Sequence, residues 1–308
     1  MALSSDSARG RRPVVLCAGI AVEDFIFKVE RFPLPGEKAQ ASSLIATAGG
    51  CAANAAIAVS RLGGQARFTG PIGTDDASAR FLAGLARDHV DASQVERVDG
   101  GSISVSGIMI DATGEKLVAT RRGERLGDAR PHDPVALVAD VDIVMADNRF
   151  PDFVRPILQA AADRGIPAVL DGDRATTTED PLFAIASHVI FSAEALRATT
   201  RLDDLLAALT VIARGAPGFL AVTNGPDGVW WLENGQPRHL AAFPIEAVDT
   251  LGAGDTFHGA FALALAEGCD LNRAMRFAAA AAALKCTRFG GISGTPTRPD
   301  VDAFLTQR

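Results

Sequence analysis

Short apolar runs alternate with longer helical segments along most of the chain. The runs end at glycine or at a polar residue, and they read PVVLCAGI, ARFTGPIG, VDIVMAD, IPAVLDGD, HVIFS and GFLAVTNG. Segments rich in alanine and leucine lie between them and predict helices at 51–63, 77–88, 152–164, 203–214, 255–267 and 270–286. Because strands and helices alternate, the pattern predicts an α/β fold, with a doubly wound, mostly parallel sheet and helices on both faces.

Two segments interrupt this alternation. Residues 24–47 have the pattern of extended chain bent at prolines, and residues 102–121 have the pattern of a hairpin whose two alternating runs are joined by DATGE. Together they predict a small second β-sheet, a lid standing on the main one. The sequence contains no repeat and no long linker, so we expect residues 1–308 to form a single domain.

Composition excludes several classes of function. Apolar residues make up 48% of the chain and charged residues 22%, as in a globular protein with a large core. The net charge of -7 disfavours nucleic acids and anionic membranes as partners. No apolar run reaches the roughly 20 residues of a membrane span. The four cysteines lack paired or metal-binding spacing, which favours buried free thiols and a cytoplasmic location.

The stretch AVDTLGAGDTFHGAFALALAEG carries the strongest chemical signal. Gly252, Ala253 and Gly254 precede an apolar helix, so bare amides and the helix dipole would form an anion site. A carboxylate at the mouth of that site would repel a resting phosphate. Asp255 therefore makes sense as a base that accepts the proton of an attacking hydroxyl. The alternative is that Asp255 is an ordinary helix cap and the glycines form a tight turn.

Two more segments predict contacts to a polyol. Gly49 and Gly50 introduce a helix of small residues with Asn54 one turn in, and Asp24 follows the first strand. The glycines would let a sugar approach backbone amides, and Asn54 and Asp24 would bind its hydroxyl groups. The alternatives are a tightly packed alanine helix for Asn54 and an ordinary surface acid for Asp24.

The segments GIAVED, GGCAAN and DTLGAGDTF together resemble the ribokinase-like (PfkB-type) sugar kinase family over nearly the whole chain. The resemblance implies transfer of the γ-phosphoryl group of ATP, with Mg²⁺, to a primary hydroxyl of a sugar. It implies that Asp255 is the general base and that residues 252–254 form the anion hole. The implied sugar contacts are Asp24, Gly49, Gly50 and Asn54.

The resemblance also implies a nucleotide-binding segment, a cation ligand and the binding partners. VTNGPDG matches a nucleotide-binding turn, which implicates Thr223, Asn224 and Gly225. Asp249 lies where the family places a ligand of a monovalent cation, so K⁺ is an expected cofactor. The expected partners are a small sugar and ATP. The lid would close over the sugar, and a homodimer formed through the lid is a hypothesis.

One departure concerns magnesium. Many family members carry Asn-x-x-Glu after the strand that matches HVIF, whereas this chain has Ser192, Ala193, Glu194 and Ala195. The protein ligands of Mg²⁺ therefore remain unassigned from the sequence.

The sugar is predicted from finer similarities. VLDGD, FHGA, RFA and ALKCTR resemble the ketohexokinase and sulfofructose kinase branch, which implies a fructose-like or anionic ketose. Lys38 and Arg149 match cations that hold a sulfonate in that branch, although both also fit ordinary surface charge. Ribokinase, 2-keto-3-deoxygluconate kinase and nucleoside kinase are the alternatives within the family.

Rival classes lack their own motifs. No G-x-G-x-x-G follows the first strand, as a nicotinamide dehydrogenase would require, and no GxxxxGK[ST] is present for a P-loop kinase. A sugar-sensing module that has lost phosphoryl transfer is the alternative from a different class. The intact GAGD segment argues against it, because a module that only binds sugar needs no carboxylate facing phosphate.

Overall fold

The computed structural model describes residues 11–308, and its centre is an eight-stranded sheet. In order across this sheet the strands are Gln65–Thr69 (β4), Val14–Ala18 (β1), Ile143–Asp147 (β9), Ala168–Gly172 (β10), His188–Ser192 (β11), Phe219–Thr223 (β12), Val229–Glu233 (β13) and Gln236–Leu240 (β14). Neighbours from β4 to β12 pair in parallel, and β13 and β14 add an antiparallel hairpin at one edge. The predicted α/β architecture is confirmed. The single-domain prediction includes residues 1–10, which lie outside the described residues.

The central strands are buried on both faces. Every residue of β1, β9 and β10 is buried, which explains why these strands appear in the sequence as continuous apolar runs rather than alternating ones. Parallel strands place all their carboxyl ends at one edge of the sheet. That edge is where open α/β sheets bind ligands.

Helices cover the two faces in two layers, each with its own apolar core. One layer contains Cys51–Arg61 (α1), Asp76–Arg87 (α2), Ala253–Ala266 (α8), Leu271–Cys286 (α9) and Arg298–Thr306 (α10). The other contains Pro134–Leu137 (α3), Pro151–Asp163 (α4), Pro181–Ile185 (α5), Ala193–Thr200 (α6) and Leu205–Ile212 (α7). Short 3₁₀ turns occupy Gly225–Asp227 and Gly291–Gly294.

The predicted small sheet is also present. Its strands, in spatial order, are Ser43–Gly49 (β3), Val22–Lys28 (β2), Ser104–Ile110 (β7) and Lys116–Arg121 (β8). We call this sheet the lid. Ile26, Ile108 and Ile110 form its apolar contact with Leu251 and Phe289 beside α8 and α9. A further pair of two-residue strands, Pro71–Ile72 (β5) and Glu96–Arg97 (β6), lies outside both sheets.

Two helices cross closely enough to bring distant parts of the sequence together. A Cβ atom added at Gly259 of α8 would lie 2.5 Å from the carbonyl oxygen of Ala55 on α1. Only glycine permits this approach, because Cβ atoms essentially never come so near to a backbone oxygen. The crossing brings Asn54 beside the first turn of α8.

The cysteines and the lengths of the helices bear on two further predictions. All four cysteines are free, Cys17 is buried, and Cys51, Cys269 and Cys286 are half-buried, so the prediction of buried free thiols holds fully at Cys17 and in part at the others. Within residues 11–308, no helix has both the length and the apolar character needed to cross a membrane.

Candidate active site

The candidate site lies at the carboxyl edge of the main sheet, where α1 and α8 begin. Asp147 is the last residue of β9, and Asp171 lies at the end of β10. Asp24 reaches the site from the lid, and Asn54 and Asp255 come from the first turns of the two helices. The site therefore combines distant parts of the sequence, and Asn54 and Asp255 alone are 201 residues apart.

Asp147 fixes the beginning of α1. One carboxylate oxygen accepts hydrogen bonds from the amides of Ile20, at 2.8 Å, and Ala52, at 3.1 Å. The other accepts from the amide of Arg149 at 3.0 Å. Asp147 is fully buried, so these bonds replace the water that its carboxylate would otherwise bind. Strand β9, the loop after β1 and the N-terminus of α1 are thereby held together.

Gly50 is the N-cap residue that turns the chain into α1. Its φ of 100° lies in the region that favours glycine, and a Cβ atom there would approach the carbonyl oxygen of Ile20 to 2.5 Å. Gly49 has a different reason to lack a side chain. A Cβ atom at Gly49 would lie 2.0 Å from Oδ2 of Asp24, so the bare backbone makes room for that carboxylate.

Asn54 and Asp255 form the central contact. Nδ2 of Asn54 donates a hydrogen bond of 2.6 Å to Oδ2 of Asp255. Asn54 is only 6% exposed, and its own Oδ1 is buried without a hydrogen-bond partner among residues 11–308. Flipping the amide would turn an oxygen toward the carboxylate, so this orientation is the one its neighbour requires. The structure thus leaves a buried acceptor beside Asp255.

Asp255 is not the cap of its helix. Gly252, with φ 78°, is the N-cap residue of α8, and no side chain caps this end. The first bond across the helix start runs from the amide of Thr256 to the carbonyl of Gly252, at 3.0 Å. In the part of the chain that the structure describes, the backbone amides of Gly254 and Asp255 donate no hydrogen bond. These free amides are suited to an anion.

Burial makes Asp255 and Asp24 unusually basic carboxylates. Desolvation raises the pKa of Asp255 to about 7, although the Asn54 hydrogen bond opposes the shift and nearby carboxylates reinforce it. Desolvation raises the pKa of Asp24 to about 6, against a hydrogen bond from Ser106. Asp255 nevertheless stays partly exposed, and its Oδ1 accepts no hydrogen bond from residues 11–308. It can therefore exchange a proton with a bound molecule near neutral pH.

Further acids surround this pair. The ligand atoms of Cys51, Asp171 and Asp255 lie within 4.8 Å of one another. Burial raises the pKa of the Cys51 thiol well above its usual value, and the neighbouring carboxylates add to the effect. A protonated thiol is a poor ligand for Mg²⁺, which prefers oxygen. The oxygens of Asp171 and of the neighbouring Asp173 fit that preference.

Arg149 is engaged within the site. Its guanidinium forms an ion pair with Asp173, to which Cys51 also donates at 3.9 Å. Lys38 is exposed on the segment between β2 and β3, and no hydrogen bond or ion pair joins it to the described part of the chain. The two cations predicted to bind an anionic group are therefore not brought together as a free pair near Asp255.

The proposed nucleotide segment follows β12. Thr223 donates through its hydroxyl to the carbonyl of Phe191 at 3.3 Å, and the side chain of Asn224 donates to Asp227 at 2.9 Å. Gly225 begins the 3₁₀ turn. On the neighbouring strand, the hydroxyl of Ser192 caps α6 by accepting from the amide of Ala195, and Glu194 is exposed in the first turn of α6.

His258 supports the site through contacts to the backbone of two different elements. Buried His258 makes contacts of 2.8 Å to the carbonyl of Gly254 and 3.2 Å to that of Ile190, which connect α8 to β11. Burial lowers the pKa of His258, which favours the neutral ring. The acids at strand ends were visible as VMAD and VLDGD, but their partners were not, because those partners come from other elements.

Asp249 has a buried partner of its own. The ammonium of Lys285, near the end of α9, lies 3.3 Å from Oδ2 of Asp249, and both side chains are buried. Burial lowers the pKa of the Lys285 ammonium, and the charge of Asp249 opposes that shift. Neither residue touches Asp255, but the turn that Asp249 begins leads directly to Gly252.

Comparisons with known proteins agree with this arrangement. The model of the pfkB family carbohydrate kinases matches residues 13–298. A ribokinase from Bacillus subtilis is 29% identical over 289 residues, which cover 92% of this chain and 96% of the relative. Among solved structures, a ribokinase candidate from Agrobacterium tumefaciens has 38% identity and a TM-score of 0.92, covering 96% of this chain and 98% of its own. Arabidopsis thaliana ribokinase, in complex with ribose and ATP, has 27% identity and a TM-score of 0.80, covering 96% and 98%.

Asp147 gives a stability test of the site's framework. Asp147→Asn would turn an amide nitrogen toward backbone donors that now bond a carboxylate. We expect the free energy of unfolding to fall by about 1.5–3 kcal/mol, measured by urea denaturation followed by circular dichroism. Asp163→Asn is the matched control, because Asp163 is exposed and, within residues 11–308, its side chain accepts a hydrogen bond only from Gln159. The interpretation fails if both variants unfold at the same midpoint as the unmodified protein.

Proposed function

Because the chain belongs to the pfkB family of carbohydrate kinases, we propose that it transfers the γ-phosphoryl group of ATP to a primary hydroxyl of a neutral sugar, with ribose as the first candidate. One observation carries the proposal: a carboxylate with a pKa of about 7 lies beside free backbone amides at a helix start. A base and an anion site in contact are what phosphoryl transfer to an alcohol requires.

Asp255 would take the proton of the attacking hydroxyl. Its Oδ1 is free of hydrogen bonds within residues 11–308, while Oδ2 is held by Asn54 at 2.6 Å. Within the predicted anion hole of residues 252–254, the amide of Ala253 already donates to the carbonyl of Thr250 at 3.3 Å. The amides of Gly252, Gly254 and Asp255, with the positive end of the α8 dipole, would therefore stabilise charge on the transferring group. The hydroxyl oxygen would form a bond to phosphorus as the bond from phosphorus to the leaving nucleoside diphosphate breaks.

Asp24, Gly49, Gly50 and Asn54 would bind the sugar. The buried Oδ1 of Asn54 lacks a donor among the described residues, and a sugar hydroxyl would supply one. The Asp24 carboxylate lies against bare Gly49, so no side chain at that position separates it from a pair of neighbouring hydroxyls. The lid carries Asp24 and would exclude water when it closes.

The nucleotide would bind beyond α8, against Thr223, Asn224 and Gly225 at the end of β12. Mg²⁺ bound with ATP would neutralise phosphate charge, and it usually needs only one or two protein carboxylates. Asp171 and Asp173 are the carboxylates that fit this role, whereas Ser192 is committed to capping α6. We expect no role for Cys51 in binding that ion.

The charges of the site favour a neutral sugar. Asp24, Asp147, Asp171 and Asp255 lie together with Arg149 as the nearby cation, and Arg149 is already paired with Asp173. An added sulfonate, phosphate or carboxylate would meet this negative field. The relatives described above are named ribokinases, which matches the alternative stated from the sequence rather than its fructose-like first interpretation.

Dimer formation through the lid stays part of the proposal. The lid exposes Leu44 on β3 and Leu117 and Val118 on β8, which are 55%, 54% and 48% exposed. Leu44 and Leu117 end one cross-strand row that also contains Phe27 and Met109, whereas Val118 belongs to the neighbouring row and points to the other face. The row from Leu44 to Leu117 is suited to cover the same sheet of a second copy.

A panel of sugars tests the substrate. We expect ATP-dependent release of ADP with ribose and weaker release with 2-deoxyribose or fructose. For ribose 1-phosphate, repulsion between its phosphate and the acids of the site should lower kcat/KM at least about tenfold, which corresponds to about 1.4 kcal/mol. A coupled assay measures ADP, and thermal shifts measure binding. Preference for the anionic sugar would contradict the proposal, and binding of sugars without any turnover would favour a sensing module.

Asp255→Asn tests the proposed base. The amide keeps the size of the side chain and its bond to Asn54 but cannot accept a proton, so kcat should fall about 10²–10⁴-fold. The melting temperature should stay near that of the unmodified protein. Asp163→Asn, an equal change far from the site, should leave kcat unaltered. Turnover of Asp255→Asn close to the unmodified rate would remove Asp255 from the proposed role.

A further inference from the structure

A lysine ammonium occupies the interior of the protein next to the turn that precedes the active-site amides. Lys285 has no exposed surface, and its Nζ donates a hydrogen bond of 2.7 Å to the carbonyl oxygen of Asp249. The same Nζ lies 3.3 Å from Oδ2 of Asp249, which is equally buried. A buried ammonium requires such partners, because an isolated charge there would be costly.

The carboxylate of Asp249 is otherwise fully engaged by backbone. Oδ1 accepts from the amide of Leu251 at 2.8 Å, and Oδ2 accepts from the amides of Gly290 and Gly291 at 2.9 and 2.8 Å. The carbonyl of Cys286, next to Lys285, accepts from the amide of Asp249 at 3.1 Å. The ammonium thus lies inside a closed network that joins the end of α9, residues 290–291 and the start of α8.

This network does not fit the monovalent cation that the family resemblance leads one to expect at Asp249. Such an ion needs oxygen atoms that are free to coordinate it. Here the carbonyl and one carboxylate oxygen of Asp249 already face the ammonium. A second positive charge sharing this buried carboxylate would lie close to the first, where little water is present to screen their repulsion.

We infer that Lys285 serves as a tethered internal cation in the place of a dissociable one, so that the protein works without activation by K⁺. The inference rests on the proposed kinase function for its activity readout only. Lys285 is a positioning residue, since it acts through Asp249. It neutralises that carboxylate and thereby fixes Leu251 and the turn that presents the amides of residues 252–254.

The first test uses the unmodified protein. Turnover with ribose and ATP is measured in KCl, NaCl and tetramethylammonium chloride at one ionic strength, with melting temperatures in the same buffers. We expect rates and melting temperatures that do not distinguish K⁺ from the other ions. Saturable activation by K⁺ within the typical range of about 5- to 150-fold for a coupled effector would overturn the inference. So would a melting temperature that rises with K⁺ alone.

The second test removes the ammonium. Lys285→Ala leaves the Asp249 carboxylate without its partner and opens space beside it. We expect turnover to fall, and K⁺ or methylammonium to restore it and to raise the melting temperature of this variant. In Lys285→Met the methionine side chain fills the space, so neither ion should restore turnover or raise the melting temperature. Arg214→Ala, which removes an exposed cation just after α7 in the other helical layer, is the matched control and should show no response to ions.

The outcomes separate this inference from the proposed function. If no sugar is turned over, the melting temperatures still report whether K⁺ binds to Lys285→Ala and not to the unmodified protein. If Lys285→Ala does not fold even in K⁺, the double variant Asp249→Asn with Lys285→Met replaces the ion pair by uncharged groups of similar size. Its melting temperature should then be insensitive to K⁺, and a rise specific to K⁺ would overturn the inference.

Discussion

The hydrogen bond between Asn54 and Asp255 is the interaction on which the rest of the site depends. It joins two helices that begin 202 positions apart, at Cys51 and Ala253, and it can form only because Gly259 lets them cross closely. A carboxylate taken out of water has a raised pKa, and a donor to its charged form limits that rise. The result is a carboxylate with a pKa of about 7 whose side chain stays partly exposed. Every proposed step of phosphoryl transfer uses that oxygen or the amides beside it.

The site holds many acids because the framework stabilises them separately. Asp147 is held by backbone amides, Asp173 by Arg149, and Asp249 by amides and Lys285. These three carboxylates build the scaffold around residues 252–254 and α1. Among residues 11–308, Asp24 and Asp255 form no ion pair, and burial raises the pKa of both, to about 6 and about 7. Burial also raises the pKa of Asp147, although the hydrogen bonds from backbone amides oppose that shift. This division separates acids that hold the structure from acids that are available to a sugar, and it explains why an added anionic group would be poorly placed.

Sequence reasoning was strongest where the signal is local. The alternation of strands and helices predicted the sheet, and the run of glycines before Asp255 predicted a bare helix start. Short elements such as α3 and α5 escaped because their patterns are too brief, and strand β14 escaped because it is polar and exposed. The roles of Asp147, His258 and Lys285 could not be predicted, since each depends on a partner from another element. The choice between a ketose and ribose likewise depended on short similarities that the full-length relatives do not support.

The most direct measurement is the pH dependence of kcat/KM for the sugar at saturating ATP and Mg²⁺, in the unmodified protein and in Asn54→Ala. Because the base must be deprotonated, kcat/KM should fall as the pH drops through about 7, the pKa of Asp255. Removing the Asn54 donor destabilises the charged carboxylate, so the acid limb should move to higher pH in the variant. An acid limb that stays at the same pH after the substitution, or a profile that is flat through neutrality, would contradict the account.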